Sequence, residues 1–304
     1  MKASPEDTLV IEEHAPIPTW FHIGGGADRL ARPNSASDLA RCLEMDPELV
    51  VLGEGANLLV DDAGVDRLVV SLQTPGFRAV EFDPSGLVRA GAGVALPRLI
   101  SDCVRRGLSG IETLAGIPAT VGGATVMNAG GAFGEWASAV RTVFAIDRAG
   151  REHAYTRDLI DFGYRQSRLN HLIVTGVELS LEPRDAGECR ATLNRCMRYK
   201  TETQPLKDKS AGCVFKNPLL HEDLCDVGAA GQRVSAGMLI DRAGCKGMRV
   251  GGAEVSGVHA NFFVVEPGAL ARDVIDLMGR VHARVKDVFG VSLEREVVVW
   301  ERSR

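Results

Sequence analysis

Gly116-Ile117-Pro118-Ala119-Thr120-Val121-Gly122-Gly123-Ala124, continued by Met127-Asn128-Ala129-Gly130, is the stretch on which the fold of this chain is decided. It lies in a longer segment, 110–135, whose small residues suit a long ordered loop with one short helical turn. The chain holds 34 glycines in 304 residues. They cluster at 24–26, 53/55, 91/93, 122/123, 130/131/134 and 251/252. Such clusters mark tight turns or places where backbone closely approaches a ligand. Two of them follow short apolar runs, which invites a dinucleotide fingerprint. That pattern fails: Leu58 and Leu96 stand where the third glycine of G-x-G-x-x-G would be required. Backbone amides on glycine turns can still form an anion nest without that fold.

Outward from this stretch the pattern alternates between short strands and amphipathic helices. Ser37 can cap a short helix through Leu39, Cys42 and Leu43, and Leu49–Leu52 reads as a buried strand. Further strands are expected near 67–72, 77–82 and 86–94. Leu96, Leu99, Ile100, Cys103, Val104 and Leu108 recur at helical spacing, with a stop near Gly107. Thr142–Asp147 and Glu152–Thr156 flank a hairpin turn, and Leu172–Leu181 is another strand. Glu182 to Gly187 reads as a linker. Beyond it come a polar helix, a glycine-rich segment at 244–257 and a helix carrying Val274, Leu277, Met278, Val281, Val285 and Phe289. The chain closes on a strand over 293–300.

Composition narrows the function. Charged residues make up 25% and apolar residues 45%, the balance of a globular protein. A net charge of −5 offers no general attraction to nucleic acid or to an anionic membrane surface. The seven cysteines are scattered and never spaced C-x-x-C, which argues for a reducing compartment and against a disulfide framework or zinc site. The acidic N-terminus lacks the apolar core of a signal peptide, and no run approaches a spanning helix. No metal is expected.

Three places carry chemistry. Cys213 lies in Ser210-Ala211-Gly212-Cys213-Val214-Phe215-Lys216-Asn217-Pro218, where a glycine turn can bring a thiol to a ligand. A Cys between Gly and Val also reads as inert core. Glu294 and Glu296 share one face if 293–300 is a strand, and a carboxylate beside apolar groups suits proton delivery or charge stabilisation. An exposed edge with solvated charges is the other reading. Arg165, after Tyr164, is a natural bidentate partner for a carboxylate, or simply a surface Arg.

Taken together and in order, these segments resemble the UDP-N-acetylenolpyruvoylglucosamine reductases. The resemblance starts at Thr19-Trp20-Phe21-His22-Ile23-Gly24-Gly25 and continues through Val51-Leu52-Gly53-Glu54-Gly55-Ala56-Asn57-Leu58 and Ala90-Gly91-Ala92-Gly93. After Gly116–Gly130 it resumes at Tyr164-Arg165-Gln166-Ser167, Gln204-Pro205, 212–218, 236–240, Gly251-Gly252-Ala253, His259-Ala260-Asn261-Phe262 and 293–297. It implies an α+β fold. A two-part FAD-binding domain of the vanillyl-alcohol-oxidase (PCMH) type would span 1–183, with subdomains near 1–78 and 79–183. A smaller α+β substrate-binding domain would span 184–304, its last strand reaching the active site. The family shortens or lacks a tyrosine-bearing lid in one of its types, and with no Tyr between 200 and 304 this chain resembles that type.

The resemblance further implies non-covalent FAD contacted by Gly53, Glu54, Gly55, Ala56, Asn57, Leu58, Gly91, Gly93, Gly116, Ile117, Pro118, Ala119, Thr120, Gly122, Gly123, Asn128, Ala129 and Gly130. NADPH would reduce the flavin, and UDP-N-acetylglucosamine enolpyruvate would be reduced in turn, a step of peptidoglycan precursor synthesis. Cys213, Arg165 and Glu296 fall on the catalytic positions. Tyr164, Lys216, Asn217 and Asn261 fall to the substrate, with Lys200 or Lys207 for its diphosphate. A cytoplasmic monomer or weak oligomer is expected. The chain departs from the family at Ala56 (usually Ser), at Ala119 (usually Gly), at Gly130-Gly131-Ala132-Phe133, and at Cys213, which stands where the family's proton-donating serine does. Two alternatives remain at this point. One is an oxidase of the same fold, many of which attach FAD through His or Cys, although no His lies in 53–60 or 110–130. The other is a flavin-binding redox sensor with Cys213 as the sensing thiol.

Overall fold

A computed structural model describes residues 9–303. By contact density the chain divides into two compact units. Among the described residues, one comprises 9–15, 27–54 and 66–199; the other comprises 16–26, 55–65 and 200–303. The class is α+β, as the resemblance implies.

The first unit holds two sheets. In one, strands Ile11–Ala15, Ala27–Ala31, Val65–Ser71 and Val50–Leu52 lie in that order, the first pair antiparallel and the last parallel. The other is antiparallel throughout, in the order Glu152–Thr156, Val140–Ile146, Ile173–Ser180, Leu87–Gly91 and Val80–Phe82. Helix α1 (Ala36–Met45) buries Leu39, Cys42 and Leu43, the stripe its periodicity dictates. Its cap is Ser35 rather than Ser37: the Ser35 hydroxyl accepts the Asp38 N–H at 3.1 Å. Helix α2 (Leu96–Arg105) buries Leu96, Leu99, Ile100, Cys103 and Val104, with Pro97 in the first turn, where its missing N–H costs nothing. Burial pushes the Cys42 thiol up to about 11 and the Cys103 thiol up to about 12. Both therefore stay protonated in the core.

The small-residue turn foreseen within 110–135 is helix α3 (Val121–Val126), capped by the Thr120 hydroxyl. A short hairpin, Gly130–Gly131 with Gly134–Glu135, follows it. The strand expected from 77 begins only at Val80, because Pro75-Gly76-Phe77 closes a 3-10 turn. Glu182-Pro183 is not a free linker. It pairs with Leu108-Ser109, and helix α4 (Ala186–Thr203) starts soon after it. Cys189 and Leu193 of α4 join the first unit's apolar core. The division between the units thus falls at 199/200, later than the linker composition suggests.

In the second unit Val298–Trp300 runs parallel to Leu58–Val60, and Arg249–Val250, Ala253–Val255 and Phe263–Val265 form an antiparallel sheet. Helices α5 (Ala236–Arg242) and α6 (Ala271–Phe289) pack around Phe21, Val214, Phe215, Phe263 and Leu293. The Asp62 carboxylate accepts the first N–H groups of α6, from Ala271 at 2.8 Å and Arg272 at 3.1 Å. Among the described residues no helix is long and apolar enough to cross a membrane, and no cluster of His, Cys, Asp or Glu could hold a metal ion.

The Gly91/Gly93 pair is accounted for by backbone crowding within the first unit. A Cβ at Gly93 would lie 1.8 Å from the Leu72 carbonyl oxygen, and one at Gly91 would lie 2.2 Å from that of Phe77. Neither neighbour can move aside, since both are main chain. Gly93→Ala should therefore destabilise the protein by about 3 kcal/mol, at the upper end of overpacking costs. A urea titration checks this, and a midpoint equal to the parent's would contradict it.

Candidate active site

The loop carrying Cys213 is assembled by main-chain hydrogen bonding from three directions inside the second unit. Gly212 turns the chain at φ +78, with open space where a Cβ would project, so conformation rather than crowding requires glycine there. Cys213 then bridges Phe262, and Phe215 bridges Arg295. Val214 N–H donates to Asn261 O at 2.8 Å, and Lys216 N–H to Glu294 O at 2.8 Å. Glu296 N–H donates to Val214 O at 2.8 Å, and Val297 N–H reaches the same oxygen at 3.4 Å. Two successive N–H groups on one carbonyl bend the segment. The regular strand accordingly covers only 298–300 of the stretch 293–300.

This bend separates the two carboxylates. Glu294 is exposed and paired with Lys216 at 2.6 Å, a surface ion pair worth under about 1 kcal/mol. Glu296 is half-buried. Its backbone is pinned on both sides: Asn57 Nδ2 donates to Glu296 O at 3.0 Å, and Val298 N–H donates to Asn57 O at 3.0 Å. Asn57, expected at the cofactor, is therefore also the residue that fastens the Glu296 segment.

Asn261 is 2% exposed and commits its whole amide to one residue. Its Oδ1 accepts Phe215 N–H at 3.0 Å, and its Nδ2 donates to Phe215 O at 2.8 Å. Asn217 Oδ1 accepts Ala236 N–H at the start of α5, at 2.9 Å. Both asparagines, read from the sequence as substrate residues, spend these side-chain atoms holding backbone. Ser210, three residues before Cys213, is buried and its hydroxyl has no hydrogen-bond partner among the described residues. Nothing in the sequence pattern singled it out.

Arg165 is built by a parallel device in the first unit. Gly163 and Gln166 exchange backbone hydrogen bonds of 2.9 and 3.3 Å, so Tyr164 and Arg165 form the tip of a tight turn. Arg165 sits at φ +57, a conformation few side chains other than Asn and Gly adopt. Its guanidinium lies 5.1 Å over the Tyr164 ring. A Cβ at Gly130 would come within 3.0 Å of Arg165 Nη1, so the glycine hairpin leaves that space to the guanidinium. Asn128, fully buried at φ +43, donates from Nδ2 to Gly163 O at 2.9 Å and accepts Ala137 N–H at 3.0 Å. The Ser167 hydroxyl ties the other end to Val126 O at 2.8 Å. Asn128 thus positions the Arg165 turn.

The glycine-rich turns divide into occupied and available amides. At the start of α3, Val121, Gly122 and Gly123 N–H groups are taken by Val94 O, Ala92 O and Thr120 Oγ1. Among the described residues, the N–H groups of Ala119 and Thr120 have no such partner, nor do those of Gly55, Ala56 and Asn57 in the second unit. Gly55 is at φ +64, and a Cβ there would lie 2.0 Å from Pro18 O. Partnerless amides at a glycine turn are the material of an anion nest, and each of these two turns offers such a set by itself.

Two family models match the chain. Residues 204–300 match the profile of the UDP-N-acetylenolpyruvoylglucosamine reductase C-terminal domain, and 27–154 match an FAD binding domain. The reductase of Moorella thermoacetica is 41% identical over 287 residues, covering 93% of this chain and 90% of that protein. The chain belongs to the UDP-N-acetylenolpyruvoylglucosamine reductase family. Reductase 2 of Symbiobacterium thermophilum is likewise 41% identical, over 93% of this chain and 89% of its own length. The crystal structure of the Thermus caldophilus reductase superposes with a TM-score of 0.79 at 38% identity, covering 96% of this chain and 99% of that one. Within this family's frame, the two clamps at Asn128 and Asn261 are what sequence reading could not assign, because a buried asparagine and a ligand-binding one look alike in a sequence.

Asn261→Ala leaves both polar groups of Phe215 buried without partners, at about 1–3 kcal/mol each. Asn217→Ala removes one cap, worth about 1 kcal/mol. Thermal unfolding should show the first loss to be at least twice the second. Equal losses would mean that Asn261 is not the clamp described.

Proposed function

We propose that this protein is a flavin-dependent oxidoreductase that takes electrons from NADPH and reduces the enolpyruvyl group of UDP-N-acetylglucosamine enolpyruvate, yielding UDP-N-acetylmuramate. The observation that carries the proposal is the fastening of the Cys213 loop and Glu296 by main-chain bonds and by the Asn57 side-chain amide, in a chain whose relatives bear the reductase's name. Residues 1–183 would serve FAD and 184–304 the UDP-sugar. The reading includes a cytoplasmic location and a monomer or weak oligomer.

FAD, when bound, would supply the hydride carrier between NADPH and the enolpyruvyl group. The amides of Gly55, Ala56 and Asn57, and separately those of Ala119 and Thr120, would be candidates for contacts to FAD. Gly53, Glu54, Leu58, Gly116, Ile117, Pro118, Gly122, Gly123, Ala129 and Gly130 would shape its bed. Gly91 and Gly93 would contribute to it through their backbone.

Reduction of the enolpyruvyl double bond puts negative charge on the carbon beside the carboxylate. Arg165 would hold that carboxylate, its guanidinium pre-set by the strained turn and the Tyr164 ring. Glu296, protonated, would donate a hydrogen bond to the developing charge. Cys213 would deliver the proton to carbon, its thiol ending as thiolate and then recovering a proton from solvent. Lys216 and Asn217 would face the sugar nucleotide from the same loop, and Lys200 or Lys207 its diphosphate. Of the other cysteines, Cys42, Cys103, Cys189, Cys196 and Cys245 are buried, so Cys213 and the exposed Cys225 are the accessible thiols among the described residues.

The test is NADPH oxidation by the FAD-loaded protein with and without the enolpyruvyl substrate. Oxidation that depends on substrate supports the proposal. Rapid consumption by oxygen alone, unaffected by substrate, would favour the oxidase reading. Glu296→Gln should lower turnover on the order of a hundredfold while NADPH still reduces the flavin. Glu294→Gln should stay within about twofold, since it removes only a surface ion pair. Equal losses would show that the wrong carboxylate has been assigned. Heat denaturation should release free FAD into the supernatant, and flavin retained on the precipitate would contradict non-covalent binding.

A further inference from the structure

We propose that His259 is a positioning residue for the Cys213 loop, acting through the acceptor lone pair of its Nδ1. The inference rests on the reading of Cys213 as a working thiol, and adds to it a residue that acts through the backbone of Asn261.

The chain of contacts is short. Asn261 N–H donates to His259 Nδ1 at 3.2 Å. An acceptor at Nδ1 places the ring's proton on Nε2, so the neutral imidazole has one fixed tautomer. The bond sets the backbone orientation of Asn261, whose carbonyl accepts Val214 N–H and whose amide clamps both polar groups of Phe215. Phe262 N–H returns to His259 O at 2.9 Å, closing the turn, and Phe262 is the residue that bridges Cys213. The imidazole also packs edge-to-face on the Phe262 ring, centroids 4.9 Å apart. On the opposite side α5 presents Gly237, where a Cβ would come within 3.0 Å of His259 Cε1. The ring is thus wedged between a helix and the residue that pairs with Cys213.

Protonation would destroy this arrangement. A second ring N–H at Nδ1 would face the Asn261 N–H, donor against donor. Burial pushes the His259 pKa below its ordinary 6.5; a hydrogen bond with its own backbone opposes this in part, and the charge of Lys246 adds to the lowering. Lys246 is itself paired with Asp241 of α5 at 2.8 Å. Gly237, Asn261 and Phe262, which lie against the ring, carry no charge. With the folded pKa depressed, the ring's contribution to stability is complete above pH 6.5 and drains away as pH falls through the folded value. Near neutrality the clamp is intact, and acid releases it.

The experiment uses the FAD-loaded protein, with two variants and two readouts. His259→Phe keeps an aromatic ring and loses the acceptor. His259→Asn places an amide oxygen where Nδ1 stood and cannot titrate. The first readout is the rate of iodoacetamide alkylation at Cys213, followed by peptide mass so that Cys225 does not contribute. The second is reoxidation of the NADPH-reduced protein by the enolpyruvyl substrate between pH 7.5 and 5.5. His259→Phe should alkylate Cys213 at least about fivefold faster than the parent, with flavin reduction by NADPH unchanged. His259→Asn should alkylate at the parent rate and lose the acid decline in reoxidation. Alkylation of His259→Phe within about twofold of the parent, or an unchanged acid decline in His259→Asn, would overturn the proposal. Should His259→Phe fail to fold, the pH profile of His259→Asn decides alone. The alkylation arm reports on the loop whether or not Cys213 delivers a proton, so failure of that assignment and failure of this one are separable.

Discussion

The double hydrogen bond between the Asn261 amide and the Phe215 backbone is the constraint on which the second unit's chemistry depends. The Cys213 loop has no helix or wide sheet of its own, only isolated bridges to Phe262 and Arg295. Isolated bridges contribute little cooperativity. A buried amide that satisfies both a donor and an acceptor on one residue fixes that residue's orientation, and breaking it leaves two polar groups stranded away from water. From Phe215 the constraint passes backwards to Cys213 and across Val214 O to Glu296, which Asn57 fastens from the far side. The first unit solves the same problem in the same way, with Asn128 holding the Arg165 turn. Asparagine suits both places because its one side chain offers donor and acceptor without charge. It also tolerates the left-handed backbone found at Asn128.

Much of this was legible in the sequence. The buried stripes of α1, α2 and α6 follow from 3.6-residue periodicity, and the hairpin around Arg148-Ala149-Gly150 from its turn residues. The elements that escaped did so for physical reasons. Glu182-Pro183 reads as a linker because Pro and charge are rare in strands, yet an edge pair with Leu108-Ser109 tolerates both. The run 293–300 looks like one strand because its apolar residues alternate, but the bend on Val214 O ends the pairing before 298. The catalytic candidates were found through ordered motifs, whereas the roles of Asn57, Asn128 and Asn261 in holding backbone depend on tertiary contacts that no spacing encodes. Gly91 and Gly93 show a further constraint: carbonyl oxygens lie too close to admit a Cβ at either position, a crowding that no sequence spacing encodes.

In the proposed role of Cys213, a thiol, with an ordinary pKa of ~8.5, would deliver a proton to carbon with less help from its surroundings than a hydroxyl. The cost is exposure to alkylation and oxidation, which a hydroxyl escapes. Main-chain bonds to Phe262 and Asn261, and from Glu296 to Val214, fix the backbone that carries this thiol.

The most direct measurement is single-turnover reoxidation of the NADPH-reduced, FAD-loaded protein by UDP-N-acetylglucosamine enolpyruvate, for Cys213→Ser and Cys213→Ala beside the parent. The account predicts that Ser retains measurable reoxidation and Ala loses nearly all of it, with flavin reduction intact in both. Ala reoxidising as fast as the parent would contradict it, because only packing would then be at stake at position 213.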